Sequence, residues 1–327
     1  MSTHAGRKFR LVAIAAAGWL ACASPASAQA QGSFERTLKV TGPVDLAIQS
    51  GSGEIRVYPG AGDSVTISAR IRASRSWFSG DARERIREIE QNPPVEQDGN
   101  TIRVGRVGDE ARLRNISISY DVRVPAETTL DARTGSGGVD VGDLRGAVEA
   151  VSGSGGIVVG RVAGPVAART GSGGIEVAGA QSLTAQSGSG SIRATGIAGA
   201  VTATSGSGGI RIAQAGKGDL DVSSSSGDVE VVGVDGAARV SASSGGILVE
   251  GRPTGPWRIH SSSGGVTLRV PPDAAFDLDA HASSGGIESD HPLTVAGRID
   301  NRRLQGKVRG GGPVVEVRTS SGGIRIQ

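Results

Sequence analysis

Apolar and polar residues alternate along most of this chain in short runs, and the runs themselves repeat. The segment Gly-Ser-Gly-Gly-Ile/Val, or Ser-Ser-Gly-Gly-Ile/Val, marks each repeat. Its apolar residue, the anchor, falls at Ile55, Val139, Ile157, Ile175, Ile192, Ile210, Val229, Ile247, Val266, Ile287 and Ile324. From Val139 to Ile287 successive anchors lie 17 to 21 residues apart, and the last step is 37. That last step reads as two periods with one degenerate coil between.

Aligned on the anchor, the copies form columns. Two before it stands Gly and three before it Ser in every copy. Two after it is apolar, as in Val57, Val141 and Ile326, with Ser289 the exception. Nine before it is apolar, as in Leu46, Leu183, Trp257 and Val315, and so is seven before it, as in Ile48, Ala168 and Val317. Five before it is Ser, Thr or Ala. The positions between are mostly polar, such as Arg56, Asp131, Glu176 and Arg211. A period of two means strands with one face inward. Each repeat then holds two strands, broken by a Gly corner and a looser turn, and no 3.6-residue spacing appears.

The solution that buries such strands is an all-β, parallel β-solenoid, or β-helix, of about 18 residues per coil and eleven to twelve coils. Neighbouring strands would lie about 4.8 Å apart around a thin core. The invariant Gly would supply either a backbone angle or a close approach that a Cβ forbids. The invariant Ser is expected to stack into a hydroxyl ladder at the corner.

Residues 58–129 lack the motif and read as a strand–helix–strand insertion near the N-terminus. Residues 64–72, 101–107 and 115–124 alternate like strands, and 79–91 reads as a short helix ended by Asn92-Pro93-Pro94. The domain is therefore expected to run over 33–327. Ahead of it, Arg7, Lys8 and Arg10 precede an apolar stretch over 11–23 and the small-residue site Ala26-Ser27-Ala28. This is the pattern of a cleaved signal peptide over 1–28, too short to span a bilayer. Cys22 adds a lipoprotein reading. The expected destination is the periplasm, the cell surface or the medium.

Composition fits this picture. Gly numbers 53 and aromatics are 3% of the chain, which suits a flat coil with small inward residues. Formal charge is +3, but without Arg7, Lys8 and Arg10 the 32 remaining basic residues equal the 32 acidic ones. A neutral chain offers no electrostatic case for nucleic acid or an anionic membrane. The one Cys is Cys22, so the exported chain would hold no disulfide and no thiol nucleophile.

The chemistry-bearing residues are few. The Gly-rich corners precede strands, whereas a phosphate loop needs a helix. Eleven equivalent Ser residues cannot each have a catalytic His. The calcium nonapeptide motif is absent, and Asp219, Asp221, Asp228 and Asp235 read as solvated corners. No catalytic residue, metal or cofactor is assigned. His260 and His281 both lie six residues before an anchor, and consecutive coils would bring them about 5 Å apart. Trp77-Phe78 is either a plug docking the insertion or a ligand contact. The candidate contacts are thus Trp77, Phe78, His260 and His281.

Several segments together resemble a bacterial family of exported "putative adhesin" proteins of unknown function. They are Ser-Gly-Ser-Gly-Glu-Ile-Arg-Val at 50–57, the strand–helix–strand segment and Tyr-Asp-Val-Arg-Val-Pro at 120–125. The fourth is the ending, with Leu-Gln-Gly-Lys-Val-Arg-Gly-Gly-Gly at 304–312 and Val-Glu-Val-Arg-Thr-Ser-Ser-Gly-Gly-Ile-Arg-Ile at 315–326. Where that family has Asp after the motif Gly, this chain mostly has Gly, with Glu54 and Asp228 the acids. The resemblance implies a right-handed β-solenoid and assigns no activity and no functional residue.

The expected function is a non-enzymatic, adhesin-like binding or scaffold surface of the cell envelope. Its partner would be an envelope polymer or protein. Two alternatives stand beside it, a polysaccharide-active β-helix enzyme and a periplasmic accessory of envelope-stress signalling. Because the chain ends on the strand 324–326, its last coil is expected either to be capped by another segment or to pair end to end with a second copy.

Overall fold

A computed structural model describes residues 31–73, 79–105, 115–295 and 301–327. Nine elements open the chain. They are β1 (Gln31–Lys39), β2 (Val44–Ser50), β3 (Ile55–Pro59), β4 (Ser64–Ala73), α1 (Ser79–Gln91), β5 (Val95–Asp98), β6 (Thr101–Val104), β7 (Ile116–Val124) and β8 (Thr128–Thr134). The regular stack continues with β9 (Val139–Val141), β10 (Val148–Ser152), β11 (Ile157–Arg161), β12 (Val166–Thr170), β13 (Ile175–Gly179), β14 (Leu183–Ser187) and β15 (Ile192–Ile197). After it come β16 (Val201–Ser205), β17 (Ile210–Gln214), β18 (Leu220–Ser224) and the long strands β19 (Val229–Ala242) and β20 (Ile247–Ser261). The last elements are β21 (Val266–Arg269), β22 (Phe276–Ala282), β23 (Ile287–Ser289), β24 (Leu293–Thr294), β25 (Arg303–Val308), β26 (Val314–Thr319) and β27 (Ile324–Ile326).

These strands form one large, mostly parallel sheet that coils on itself. Register follows the sequence columns. Ile157 pairs with Ile175, and Ile175 with Ile192, along one wall. Ala150 pairs with Ala168, and Ala168 with Ala185, along the other. Inward positions are buried in almost every copy, from Ile48 and Val57 to Val317 and Ile326. Trp257 is also fully buried, and its indole N–H donates to the Gly236 carbonyl at 3.1 Å.

The corner hydroxyls differ from expectation. The invariant Ser three before the anchor is exposed in every copy, as at Ser136, Ser154 and Ser172. The internal ladder belongs to the residue five before the anchor. Thr170 Oγ1 donates to the Gly155 carbonyl of the preceding coil at 2.9 Å and accepts from the Gly173 amide of its own coil at 3.1 Å. Ser50, Thr134, Ser152, Ser187, Ser205, Ser224, Ser261 and Thr319 each bridge a carbonyl outside their coil and a Gly amide within it in the same way. Ala242 and Ala282 interrupt the series. The physical reason is parity. Positions nine, seven and five before the anchor point to the same inner face, so the hydroxyl at five before satisfies buried backbone groups.

The Gly two before the anchor is needed for space, not for a backbone angle. A Cβ on Gly173 would sit 2.1 Å from the Gly155 carbonyl oxygen, and none of this column has positive φ. Four before the anchor, the switch from Gly to Ser has a backbone counterpart. In three of the five Ser copies the next amide also bonds across coils: Ser244 to Ser225, Ser263 to Ser243 and Ser321 to Ser262.

Stacking order and chain order part company at both ends. At the start, β6 and β7 lie parallel against one side of β2 and β3, while β8 and β9 lie against the other. Antiparallel β4 then covers β7, β1 covers β4, and β5 covers β6. Helix α1 plugs this end of the core with Ala82, Ile86 and Ile89 and packs on β1 and β4.

At the other end, β26 lies between β20 and β22, and β27 lies between β21 and β23. This corrects the sequence reading of the last step. Among the described residues, no degenerate coil separates Ile287 from Ile324; the final lap slots in beneath the one made before it. Backbone ladders accept any lap with the same inner pattern, so nothing forces laps to stack in the order they are synthesised. Strand β27 therefore has neighbours on both sides. The outermost lap is covered by antiparallel β25, which pairs with β22 and with β24, and by Asn301, whose carbonyl accepts from the Ile287 amide at 3.1 Å.

Candidate functional site: the outward columns

Because like positions stack on like, every outward position becomes a column along the stacking axis. The column six before the anchor, here column A, runs unbroken over eleven strands and is extended by Arg303 on antiparallel β25. In spatial order it is Gln49, Arg133, Val151, Arg169, Gln186, Thr204, Ser223, Ser241, His260, Arg318, His281 and Arg303. It holds no carboxylate. Part of it forms the floor of a shallow trough lined by Val151, Arg169, Gln186 and Thr204.

The column eight before the anchor, column B, carries the acids. It runs Ala47, Asp131, Glu149, Ala167, Thr184, Thr202, Asp221, Arg239, Arg258, Glu316 and Asp279. Its carboxylates reach sideways to basic residues. Arg133 lies 2.7 Å from Asp131 and 3.0 Å from Glu149, and Arg169 is 3.6 Å from Glu149. Arg239 pairs with Asp221 and Arg258 with Glu316. The hydrogen bond to Glu316 raises the Arg318 guanidinium above its ordinary value. A shallow groove of about 490 Å³ crosses the start of this wall, lined by Asp45, Ala47, Arg103, Asp131, Glu149 and Thr184.

On the opposite wall, Tyr58 lies over Gly142, donates its hydroxyl to the Asp140 carboxylate and sits under the Arg123 guanidinium, 5.2 Å from the ring centre. The hydrogen bond to Asp140, then burial, pushes the Tyr58 phenol up to about 12. Burial also raises the phenol of Tyr120. Both folded values are raised, so stability from these hydroxyls is complete below about pH 10 and is lost as pH rises through the folded values. In an alkaline absorbance titration neither tyrosine should ionise near pH 10, and Asp140→Asn should return one of them toward that value. Two phenols titrating together at about pH 10 in the unaltered chain would contradict this geometry.

The candidate contacts fare differently. Trp77 and Phe78 lie outside the described residues. His260 and His281 share a column as expected but are not neighbours, which corrects the spacing argued from the sequence. Arg318 pairs with each of them and stands between, so the two histidines sit two strand spacings apart along the backbone, about 9.6 Å. Among the described residues, no group of three or more His, Cys, Asp or Glu is placed to hold a metal. The local acids are backbone caps and ion pairs. Asp228 accepts from the Gly246 amide at 2.8 Å, and Asp219 from the Ala237 amide at 3.2 Å. Arg318 lies six before its own anchor, so alignment placed it in column A. Its position between the histidines had no signal in the sequence.

A coiled, parallel β-stack with repeated outward columns is the class that these features define. The chain belongs to the Toastrack DUF4097 family, whose model matches residues 35–327. No curated protein matches it. Among solved structures, it is similar to a putative adhesin from Parabacteroides distasonis ATCC 8503, at 11% identity and a TM-score of 0.40, with 90% of this chain and 97% of that one covered. A putative lipid binding protein from the same organism matches at 14% identity and a TM-score of 0.37, covering 90% and 96%. A putative adhesin from Bacteroides fragilis NCTC 9343 matches at 10% identity and a TM-score of 0.31, covering 90% and 97%. Among the described residues, no helix is long and apolar enough to cross a membrane.

Proposed function

We propose that this protein is a non-catalytic, adhesin-like binding surface of the cell envelope, exported to the periplasm or beyond after loss of residues 1–28. Its scaffold is a β-solenoid over 33–327, of eleven to twelve coils of about 18 residues, with 58–129 as an insertion. The carrying observation is column A, twelve outward residues in continuous register at about 4.8 Å per step. A surface that repeats one weak contact many times gains avidity for an extended partner without any deep pocket. Trp77-Phe78 is a second proposed contact.

The test is a binding screen of the exported chain against neutral and acidic polysaccharides and fractionated envelope proteins, with each polymer's chain length followed in parallel. Saturable binding that leaves the polymer intact is expected. Turnover of a polysaccharide that one point mutation abolishes would overturn the reading.

A further inference from the structure

We infer that column A is the track for an acidic polysaccharide, held most strongly at the cluster His260–Arg318–His281–Arg303. This deepens the binding-surface reading and rests on it. Four successive strands, β20, β26, β22 and β25, each place a basic residue in this one column. All four are exposed. Away from the cluster the column continues as Ser241, Ser223, Thr204 and Gln186, hydroxyls and an amide suited to sugar hydroxyls. The step of about 4.8 Å is close to the length of one pyranose ring.

Three features select a polysaccharide over other polyanions. Column A has no Trp, Tyr or Phe, so a single-stranded nucleic acid would have only imidazoles and guanidinium planes on which to stack its bases. It is one residue wide, with the acids of column B alongside. A linear chain can follow it, whereas a planar anionic membrane would also meet Asp131, Glu149, Asp221, Glu316 and Asp279. The trough along Val151, Arg169, Gln186 and Thr204 gives the track a shallow floor at its other end.

The track should respond to acidity. Glu316 on β26 and Asp279 on β22 face the cluster from column B, along with Arg258 on β20, Arg239 on β19 and Gln305 on β25. Gln305 donates to Asp279 at 2.9 Å. With neutral imidazoles the four arginines exceed the two acids by two charges, and protonation of both histidines doubles that excess. Histidine is the side chain that changes charge between about pH 5 and 8.

The experiment measures binding of the exported chain to immobilised polygalacturonate, dextran and anionic phospholipid vesicles, at about pH 5.5 and 7.5 and constant ionic strength. Polygalacturonate should bind about fivefold tighter at the lower pH, the order expected of two exposed ion pairs, and salt should weaken it. His260→Gln with His281→Gln should remove the pH response. Arg303→Gln with Arg318→Gln should weaken binding at both. No binding to polygalacturonate, equal binding to dextran, preference for vesicles, or indifference to both double variants overturns the track. Dextran binding that ignores these variants would leave the general surface reading standing, and binding to none of the probes or envelope fractions would remove both.

Discussion

Gly173→Ala is expected to cost more than about 4 kcal/mol and to prevent a stable native state at ordinary temperatures. The new methyl would lie 2.1 Å from the carbonyl oxygen and 2.4 Å from the carbonyl carbon of Gly155. Those atoms are backbone, held in the ladder by the Thr170 hydroxyl, so no flexible side chain can yield. Gly156→Ala is the control. Its Cβ meets only the Gly174 carbonyl oxygen, at 3.5 Å, an ordinary contact, and its φ is not positive. Its effect should stay within about 1 kcal/mol, with a gain allowed from the stiffer unfolded chain. Denaturant midpoints of the two variants check this. Equal, small effects would mean that the corners do not approach as closely as described.

Removing the last lap should damage more than the end of the chain. A protein stopping at Gly312 loses β26 and β27, which separate β20–β21 from β22–β23. Val315, Val317, Ile324 and Ile326 are almost fully buried there, at about 1.5–3 kcal/mol of burial each. Their loss also uncovers Trp257, Ile259 and Leu268 and leaves β22 and β23 without a parallel neighbour. Limited proteolysis should therefore cut from about residue 270 onward while the earlier stack persists. If laps stacked in chain order, the truncated protein would merely be one lap shorter, and residues 276–289 would stay protected.

The columns were legible in the sequence because period-two alternation and a fixed anchor reveal which residues share a face. The pairing of Ile157, Ile175 and Ile192 follows from that alone. Parity also placed the hydroxyl five before the anchor on the inner face, although the invariant Ser three before it drew the ladder assignment first. Stacking order was not legible. Ile324 fits equally well on Val266 or Ile287, because backbone ladders do not distinguish one lap from the next. The candidate site inherited that limit: the sequence put His260 and His281 in one column, but did not show that Arg318 stands between them. Residues such as Tyr58 escaped notice because their partners, Arg123 and Asp140, lie far off in the chain.

Cysteine pairing tests the stack most directly, since the only Cys in the sequence is Cys22. Neighbouring strands place Cα atoms within the range a disulfide spans, roughly 4.4–6.8 Å, and next-but-one strands do not. Arg318→Cys should therefore oxidise efficiently with His260→Cys and, separately, with His281→Cys, while His260→Cys combined with His281→Cys should stay reduced. A ready bridge between positions 260 and 281, with none to 318, would contradict the account.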